Sequence, residues 1–297
     1  MVASSLQGKG LTIVVNPRAG DADSADEVDR IRQALPNAEV VQLEESDSIE
    51  EVFRRSAERS TALGVHGGDG TTGAAAAAAR EAGVPLVVFP GGTLNHFARG
   101  VGISDVDDAL DAFLHGQLAE VDTAAIDGRL FLNTASFGSY SSFVEERERL
   151  ESRVGKWPAM MLALVRVLRT YEPLEVTLDG EQRRVWMIFV GNCVYDPPGL
   201  IPTTRNRLDD DLLDVRLVAG PQGANRARLL FAAVTGRLFN SSSFERRLTR
   251  RLEVTTSQGS LTLAADGEIF DGPGSFVIEK HHTRLAVYTQ VNRPVTS

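Results

Sequence analysis

A chain of 297 residues exceeds the size at which one hydrophobic core usually keeps growing, so two domains are expected. Its 42% hydrophobic and 24% charged residues exclude a disordered polymer, and a net charge of −9 excludes the basic surface on which nucleic-acid binding rests. The acidity is confined to residues 1–121, with 9 Lys+Arg against 19 Asp+Glu, whereas residues 122–297 hold 22 against 21 and are free to approach an anionic surface.

A single cysteine, Cys193, cannot form an internal disulfide, and the opening MVASSLQGKG lacks the apolar core of a signal peptide, which together favour the cytoplasm. The longest apolar stretch, residues 158–165, is far short of the ~20 residues a spanning helix needs, so any membrane contact is expected to be peripheral.

From Leu11 to Asp122, short β-branched runs alternate with helix-like segments: LTIVVN, SADEVDRIRQAL, AEVVQL, SIEEVFRRSAERS, TALGVHG, TTGAAAAAAREAG, PLVVFPGG and DVDDALDAFLHG. Continuous apolar strands separated by such helices predict a parallel sheet covered on both faces, with ligands beyond the carboxyl ends of its strands. After Asp122 the texture becomes strand-rich (RLFLNTASFG, LEVTLDG, RRVWMIFVGN, LLDVRLVAG, RLEVTT, SLTLAADGE, SFVIEK, TRLAVYT), which predicts antiparallel β structure with helices near residues 145–170 and 224–239. Asp-Gly pairs at 127–128, 179–180, 266–267 and 271–272 supply the positive φ that tight hairpins require. The expected fold is thus an α/β nucleotide-binding domain over residues 1–122 and a β-rich, sandwich-like domain over residues 123–297.

HGGDGTTG at residues 66–73 follows an apolar strand and precedes an alanine-rich helix. Glycines let the backbone approach an anion, and a helix N-terminus adds favourable partial charge. Asp69 would repel a bare phosphate; it makes sense if a divalent cation lies between them or if it orders the loop. PGGTLN at residues 90–95 repeats the pattern after the next strand, and NPRAG at residues 16–20 brings Arg18 to the end of the first. Each alone reads as a tight turn. Neither GxxxxGK[ST] nor GxGxxG occurs, so a P-loop and a dinucleotide fingerprint are both excluded.

On NPRAG, GGDGT (67–71), PGGTLNHFAR (90–99), RLDDDLLDV (207–215) and ADGE (265–268), the sequence resembles the diacylglycerol kinase catalytic domain family, with its sphingosine and ceramide kinase relatives. More distantly it is similar to NAD kinases and phosphofructokinases, which share the GGDG loop. The resemblance implies ATP and Mg²⁺ as cofactors and a lipid alcohol as substrate, bound in a cleft between the domains. Asn16 and Arg18 would contact the nucleotide, Gly67, Gly68, Asp69, Gly70, Thr71 and Thr93 would hold its phosphates, and Asn95 would help fix it. Asp69 would join the magnesium network, Asp266 would be the general base, and Glu268 a magnesium ligand or alternative base. A structural magnesium would take the Asp210 carboxylate and the Arg207 and Leu212 carbonyls. The chain departs from the family pattern at Asp211, usually glycine, at His96, often aspartate, and around Leu43, often threonine.

Residues 155–173, GKWPAMMLALVRVLRTYEP, read either as an amphipathic helix packed on its own domain or as a membrane-surface helix; RRLTRR at 246–251 reads as a solvated face or as an attractor of anionic head groups. The expectation is a cytoplasmic, peripherally membrane-associated enzyme that binds no nucleic acid, with a homodimer left open. Two alternatives stand beside it: a soluble-substrate kinase of the NAD kinase type, and a nucleotide-binding regulatory protein without catalysis.

Overall fold

The computed structural model of the chain describes residues 8–18, 24–199, 204–220 and 243–290. In chain order the first elements are β1 (Leu11–Val15), α1 (Ser24–Ala34), β2 (Glu39–Gln42), α2 (Ile49–Glu58), β3 (Ala62–Gly67), α3 (Asp69–Ala82), β4 (Leu86–Pro90), α4 (His96–Gly100), α5 (Val106–His115) and β5 (Gln117–Val121). There follow β6 (Ala124–Ile126), β7 (Arg129–Phe131), β8 (Thr134–Gly138), α6 (Tyr140–Val154), α7 (Lys156–Thr170), β9 (Leu174–Leu178) and β10 (Glu181–Asn192). The last are β11 (Tyr195–Asp196), β12 (Thr204–Arg205), β13 (Leu213–Gly220), β14 (Phe244–Thr249), β15 (Arg251–Ala265), β16 (Glu268–Lys280) and β17 (Leu285–Thr289). The helix expected near 224–239 lies outside the described residues.

The first compact unit comprises the described residues up to Thr123, Thr204–Asp210 and those from His281 onward. Its sheet has the order β2-β1-β3-β4-β17-β5; neighbours are parallel except β17 and β5. β1, β3 and β4 are buried at every position, as strands covered on both faces must be. Helix starts are set locally: Ser48 caps α2 by accepting from the Glu51 amide, and Asp105 caps α5 by accepting from that of Asp108 at 2.8 Å. The sequence placed TRLAVYT in a second domain running unbroken to the C-terminus. In the structure that segment returns as β17, where the Arg284 guanidinium donates to Asp122 Oδ1 at 2.9 Å and fastens it beside the end of β5.

The second unit holds the described residues of 124–203 and 211–280. Its sheet runs β14-β13-β10-β8-β15-β16-β6-β7, with β9 paired to both β10 and β15, and every pairing is antiparallel. One core contains Phe137, Ile188, Val215, Leu252, Leu263 and Phe276. A second places Phe143 of α6 and Met160, Leu164 and Leu168 of α7 against Trp186, Met187 and Val218. Met160, Leu164 and Leu168 of the apolar stripe therefore pack on their own unit, and Gly155, at φ +82°, divides the expected single helical stretch into two helices. Three of the four Asp-Gly pairs form left-handed turns, at Asp127, Asp179 and Asp266. The fourth, Asp271-Gly272, lies inside β16, where a Cβ on Gly272 would meet Leu263 Cδ1 at 2.3 Å. Its glycine serves close cross-strand packing and makes no turn.

A polar cluster is buried in this unit around Asp214. The Asp214 carboxylate, fully buried, accepts from Arg216 Nη2 at 2.6 Å, from Arg246 Nε and Nη2 at 2.8 Å each, and from the Tyr195 amide at 3.0 Å. Arg216, equally buried, also donates to the carbonyls of Tyr195 at 2.6 Å, Pro197 at 2.8 Å and Gly199. Burial alone would raise the carboxyl's pKa; the guanidiniums of Arg246 and Arg216 outweigh it and hold Asp214 below the ordinary carboxylate range. A depressed folded value stabilises the protein above the unfolded pKa of about 4 and loses that contribution as pH falls through the folded one. Asp214→Asn should therefore cost about 3–5 kcal/mol at neutral pH, by leaving two buried or half-buried guanidiniums uncompensated. In urea unfolding followed from pH 7 to pH 2, the variant should also lose part of the wild type's acid-dependent decline; parallel wild-type and variant curves would remove Asp214 from the acid response.

Candidate functional site

At the carboxyl ends of β1, β3 and β4, three loops are joined by hydrogen bonds that their own sequences supply. The Asn16 amide nitrogen of the backbone donates to the His66 carbonyl at 2.9 Å, and Asn16 Nδ2 donates to Thr71 Oγ1 at 2.9 Å. Asn16 Oδ1 accepts from the Arg18 amide at 3.1 Å, shaping the NPR turn, while the exposed Arg18 side chain pairs with Glu45 at 2.9 Å. Gly91 N donates to the Gly67 carbonyl at 3.0 Å.

Gly68 and Gly92 face each other so closely that a Cβ on Gly92 would lie 2.7 Å from Gly68 Cα. Asn95, at φ +49°, folds its amide back onto Gly92, with Oδ1 accepting from Gly92 N at 2.9 Å and Nδ2 donating to Gly92 O at 2.6 Å. Asp69 then bridges the two glycine loops. Its Oδ2 accepts from the His96 amide at 3.2 Å and its Oδ1 from the Phe97 amide at 3.3 Å, so it caps α4 from the first turn of α3. The structure thus brings together Asn16, Gly67, Gly68, Asp69, Thr71 and Asn95, with Gly70 in the first turn of α3 and Thr93 exposed on the second loop.

Helix α3 begins at Gly68 with no side chain capping it. Uncapped N-terminal amides, lined by glycine, form the standard arrangement for holding an anion. Below them His66 is fully buried, with Nε2 2.9 Å from Glu27 Oε2 and Nδ1 without a hydrogen-bond partner.

In the second unit, Asp266 occupies the β15–β16 turn at φ +47°. Its Oδ2 accepts from the Leu132 amide at 2.7 Å, and its Oδ1 from those of Asn133 at 2.7 Å and Thr134 at 2.9 Å. The residue is both a hairpin turn and the clamp of the β7–β8 connection. Glu268, half-exposed, pairs with Arg129, whose guanidinium lies 4.7 Å from the Phe270 ring centroid.

The expected structural-magnesium segment divides at the boundary between units, Arg207 and Asp210 in the first and Leu212 in the second. Asp210 and Asp122 bring carboxylate oxygens within 4.8 Å of one another, but Asp122 already accepts from Arg284. The Leu212 carbonyl accepts from the Cys193 amide at 2.9 Å. Arg207 donates to Asp209 at 2.9 Å and, as the leading cause, lowers that carboxyl's pKa. Asp211, standing where the family usually has glycine, sits at φ +62° and pairs with Arg250. Aspartate is among the few residues that tolerate this region.

The arginines of RRLTRR are all paired: Arg246 with Asp214, Arg247 with Asp179, Arg250 with Asp211, and Arg251 with Glu253 at 3.1 Å. Sequence reasoning passed over the Asp214–Arg216 pair. The signal was present, since residues two apart on a strand share a face, and LLDVRL places both charges on one face of an otherwise apolar run.

Residues 10–126 match the model of the diacylglycerol kinase catalytic domain, and residues 136–286 match the YegS C-terminal NAD kinase beta sandwich-like domain. The chain belongs to this family of lipid kinases. Among its relatives, a Pseudomonas aeruginosa (strain UCBPP-PA14) protein named "Probable lipid kinase YegS-like" is 30% identical over 233 residues, 74% of this chain and 75% of that one. A Bacillus subtilis (strain 168) protein named diacylglycerol kinase is 26% identical over 213 residues, 68% of this chain and 69% of that one. The fold is shared with a crystal structure of a diacylglycerol kinase from Bacillus anthracis str. Sterne, at a TM-score of 0.65 and 19% identity, covering 95% of this chain and 97% of that one.

A lipid kinase of this family uses ATP and typically a divalent metal. The loops fit such a group: the α3 amides are uncapped, glycine faces glycine across the cradle, and Asp69 supplies the hard oxygen a divalent cation prefers. Because Asp69 holds α4 through two long hydrogen bonds and sits in no core, Asp69→Ala should lower stability by only about 1–2 kcal/mol. It should raise hydrogen exchange at the His96 and Phe97 amides. Unchanged exchange there, with a large loss of thermal stability, would contradict the bridging role.

Proposed function

We propose that this lipid kinase transfers the γ-phosphoryl group of ATP to the hydroxyl of a lipid alcohol, with diacylglycerol as the leading acceptor. The observation that carries the reading is the uncapped N-terminus of α3, framed by the GGDG and PGGTLN loops that Asp69 ties together. The name of the B. subtilis relative supports the choice of acceptor.

Bound on these loops, ATP with a divalent cation would supply a transferable phosphoryl group whose negative charge is partly neutralised. The chain's own part is positioning and charge, since phosphoryl transfer needs little covalent help from the protein. The first amides of α3 would face the phosphates and Thr93 would add a hydroxyl donor, while Asn16 holds Thr71 in place. Asp69 would offer a carboxylate oxygen to the cation, while its contacts with the His96 and Phe97 amides keep the loops in register.

On the second unit, Asp266 takes the proton from the acceptor hydroxyl. Three backbone amides fix the plane of its carboxylate, which suits a group that must meet one oxygen at one angle. Glu268, held by Arg129, is the neighbouring carboxylate. Arg18 is the surface cation nearest in sequence to the cradle, and its pairing with Glu45 is an exposed one that nucleotide phosphate could replace at little cost. Arg207, Asp210 and Leu212 remain the proposed structural-magnesium set.

The lipid would be reached from a membrane by peripheral contact; no described helix is long and apolar enough to cross one. Exposed apolar side chains of the second unit, Leu162 on α7 and Ile269 on β16, serve that contact better than the arginines of RRLTRR, whose charges are paired. We place the enzyme in the cytoplasm at an anionic membrane surface.

The test is incubation with [γ-³²P]ATP, Mg²⁺ and a total lipid extract, with products resolved by chromatography. A labelled lipid co-migrating with phosphatidic acid is expected, and Asp266→Asn should reduce it by ~10²–10⁴-fold while ATP still binds. Label in a different lipid would keep the reaction and change the acceptor. No labelled lipid would overturn the proposed transfer itself, and full activity of Asp266→Asn would overturn the reading of the base.

A further inference from the structure

The connection between β7 and β8 is gripped from both sides. Its three amides, of Leu132, Asn133 and Thr134, all donate to the Asp266 carboxylate, and the Thr134 carbonyl accepts from Asp266 N at 2.8 Å. Its remaining carbonyls face the end of β10. The Leu132 carbonyl accepts from Asn192 Nδ2 at 2.8 Å, and the Asn133 carbonyl accepts from Asn192 N at 2.9 Å and from Tyr195 Oη at 3.1 Å. Whatever fixes Asn192 therefore fixes the strap that fixes Asp266.

Behind Asn192 stands Lys280, the last residue of β16, only 4% exposed. Its Nζ donates to Asn192 Oδ1 at 2.5 Å and approaches Cys193 Sγ at 3.4 Å, and its backbone amide donates to the Arg250 carbonyl at 2.9 Å. A buried ammonium must be matched by acceptors, and the Asn192 side-chain oxygen is one of them. At Asn192 the lysine imposes direction. A carboxamide turned by 180° exchanges its donor and acceptor, but an ammonium is a donor only and accepts no N–H. Lys280 thus admits one orientation of the Asn192 amide, with Oδ1 toward itself and Nδ2 toward the Leu132 carbonyl. The flipped orientation would set two oxygens against each other at Leu132.

We infer that Asn192, oriented by the buried ammonium of Lys280, is a positioning residue for Asp266, acting through the Leu132–Thr134 strap. The inference rests on the reading of Asp266 as the base only where it concerns turnover; the positioning itself is a property of the strap. Neither residue touches the acceptor in this account. Their effect is on the angle at which the Asp266 carboxylate meets it, and small misplacements of a reacting group cost rate far more than affinity.

Two substitutions test it. Asn192→Asp is nearly isosteric, keeps the backbone bond to Asn133 and pairs with Lys280, but sets a carboxylate oxygen against the Leu132 carbonyl. Lys280→Met keeps the packing and removes the orienting donor. In both, amide hydrogen exchange at Leu132, Asn133 and Thr134 should rise by about tenfold or more, with exchange elsewhere in β15 and β16 unchanged. With a diacylglycerol in detergent micelles, ATP and Mg²⁺, kcat should fall by roughly ten- to a hundredfold while KM for ATP stays at its wild-type value.

Wild-type exchange at the three amides in a folded Asn192→Asp protein would overturn the inference, whatever the turnover. Accelerated exchange with unchanged kcat would also overturn it, provided Asp266→Asn assayed alongside is inactive. If Asp266→Asn is itself fully active, the fault lies with the base assignment, and the exchange data still decide the positioning. Should Lys280→Met fail to fold, Asn192→Asp carries the test alone.

Discussion

Backbone amides that leave a sheet must find acceptors, and in both units of this protein an aspartate carboxylate from the neighbouring loop supplies them. Asp69, at the start of α3, accepts from the first two amides of α4. Asp266, in the β15–β16 turn, accepts from three successive amides of the β7–β8 connection. Each carboxylate fixes the loop beside it without covering it with bulk. The consequence in the first unit is a pair of glycine loops held close enough for Gly68 and Gly92 to touch, with the α3 amides left uncapped.

Much of this was legible in the sequence because it depends on local rules. Strand and helix alternation up to Asp122 follows from apolar runs and their length, and the glycine clusters after β3 and β4 announced where the backbone needs room. The Asp-Gly signal held where the dipeptide ends a strand and misled at Asp271-Gly272, where Leu263 packs against the glycine face. Features set by distant partners were not legible. LAVYT has the same alternation as the antiparallel strands before it, and only its neighbours β4 and β5 place it in the first sheet. Lys280 was likewise not legible, since nothing local in SFVIEK marks its burial beside Asn192.

The charges of the second unit show why composition is a poor guide to surface. Its near balance of acids and bases suggested arginines available to lipid head groups. Instead Arg246 joins Arg216 around Asp214, Arg247 and Arg250 find carboxylates at Asp179 and Asp211, and Arg251 pairs with Glu253 two residues along the same strand. The cluster at Asp214 also fixes Tyr195, whose amide donates to that carboxylate, whose carbonyl accepts from both arginines, and whose hydroxyl reaches Asn133. A buried ion cluster is weak evidence for stability as such. Here its connections run toward the strap that holds Asp266, so its structural and functional parts share atoms.

Phosphoryl transfer by this protein requires that the first unit's loops receive nucleotide phosphates. The most direct measurement is the change in ¹⁵N–¹H amide resonances when ATP and Mg²⁺ are added to the full chain. The largest shifts are expected at Gly68–Thr71 and Gly91–Thr93, with a Gly92→Ala protein, whose new methyl would press on Gly68, losing them together with about tenfold or more of its ATP affinity. Shifts confined to other loops, or wild-type affinity in Gly92→Ala, would place the nucleotide elsewhere and contradict the central claim.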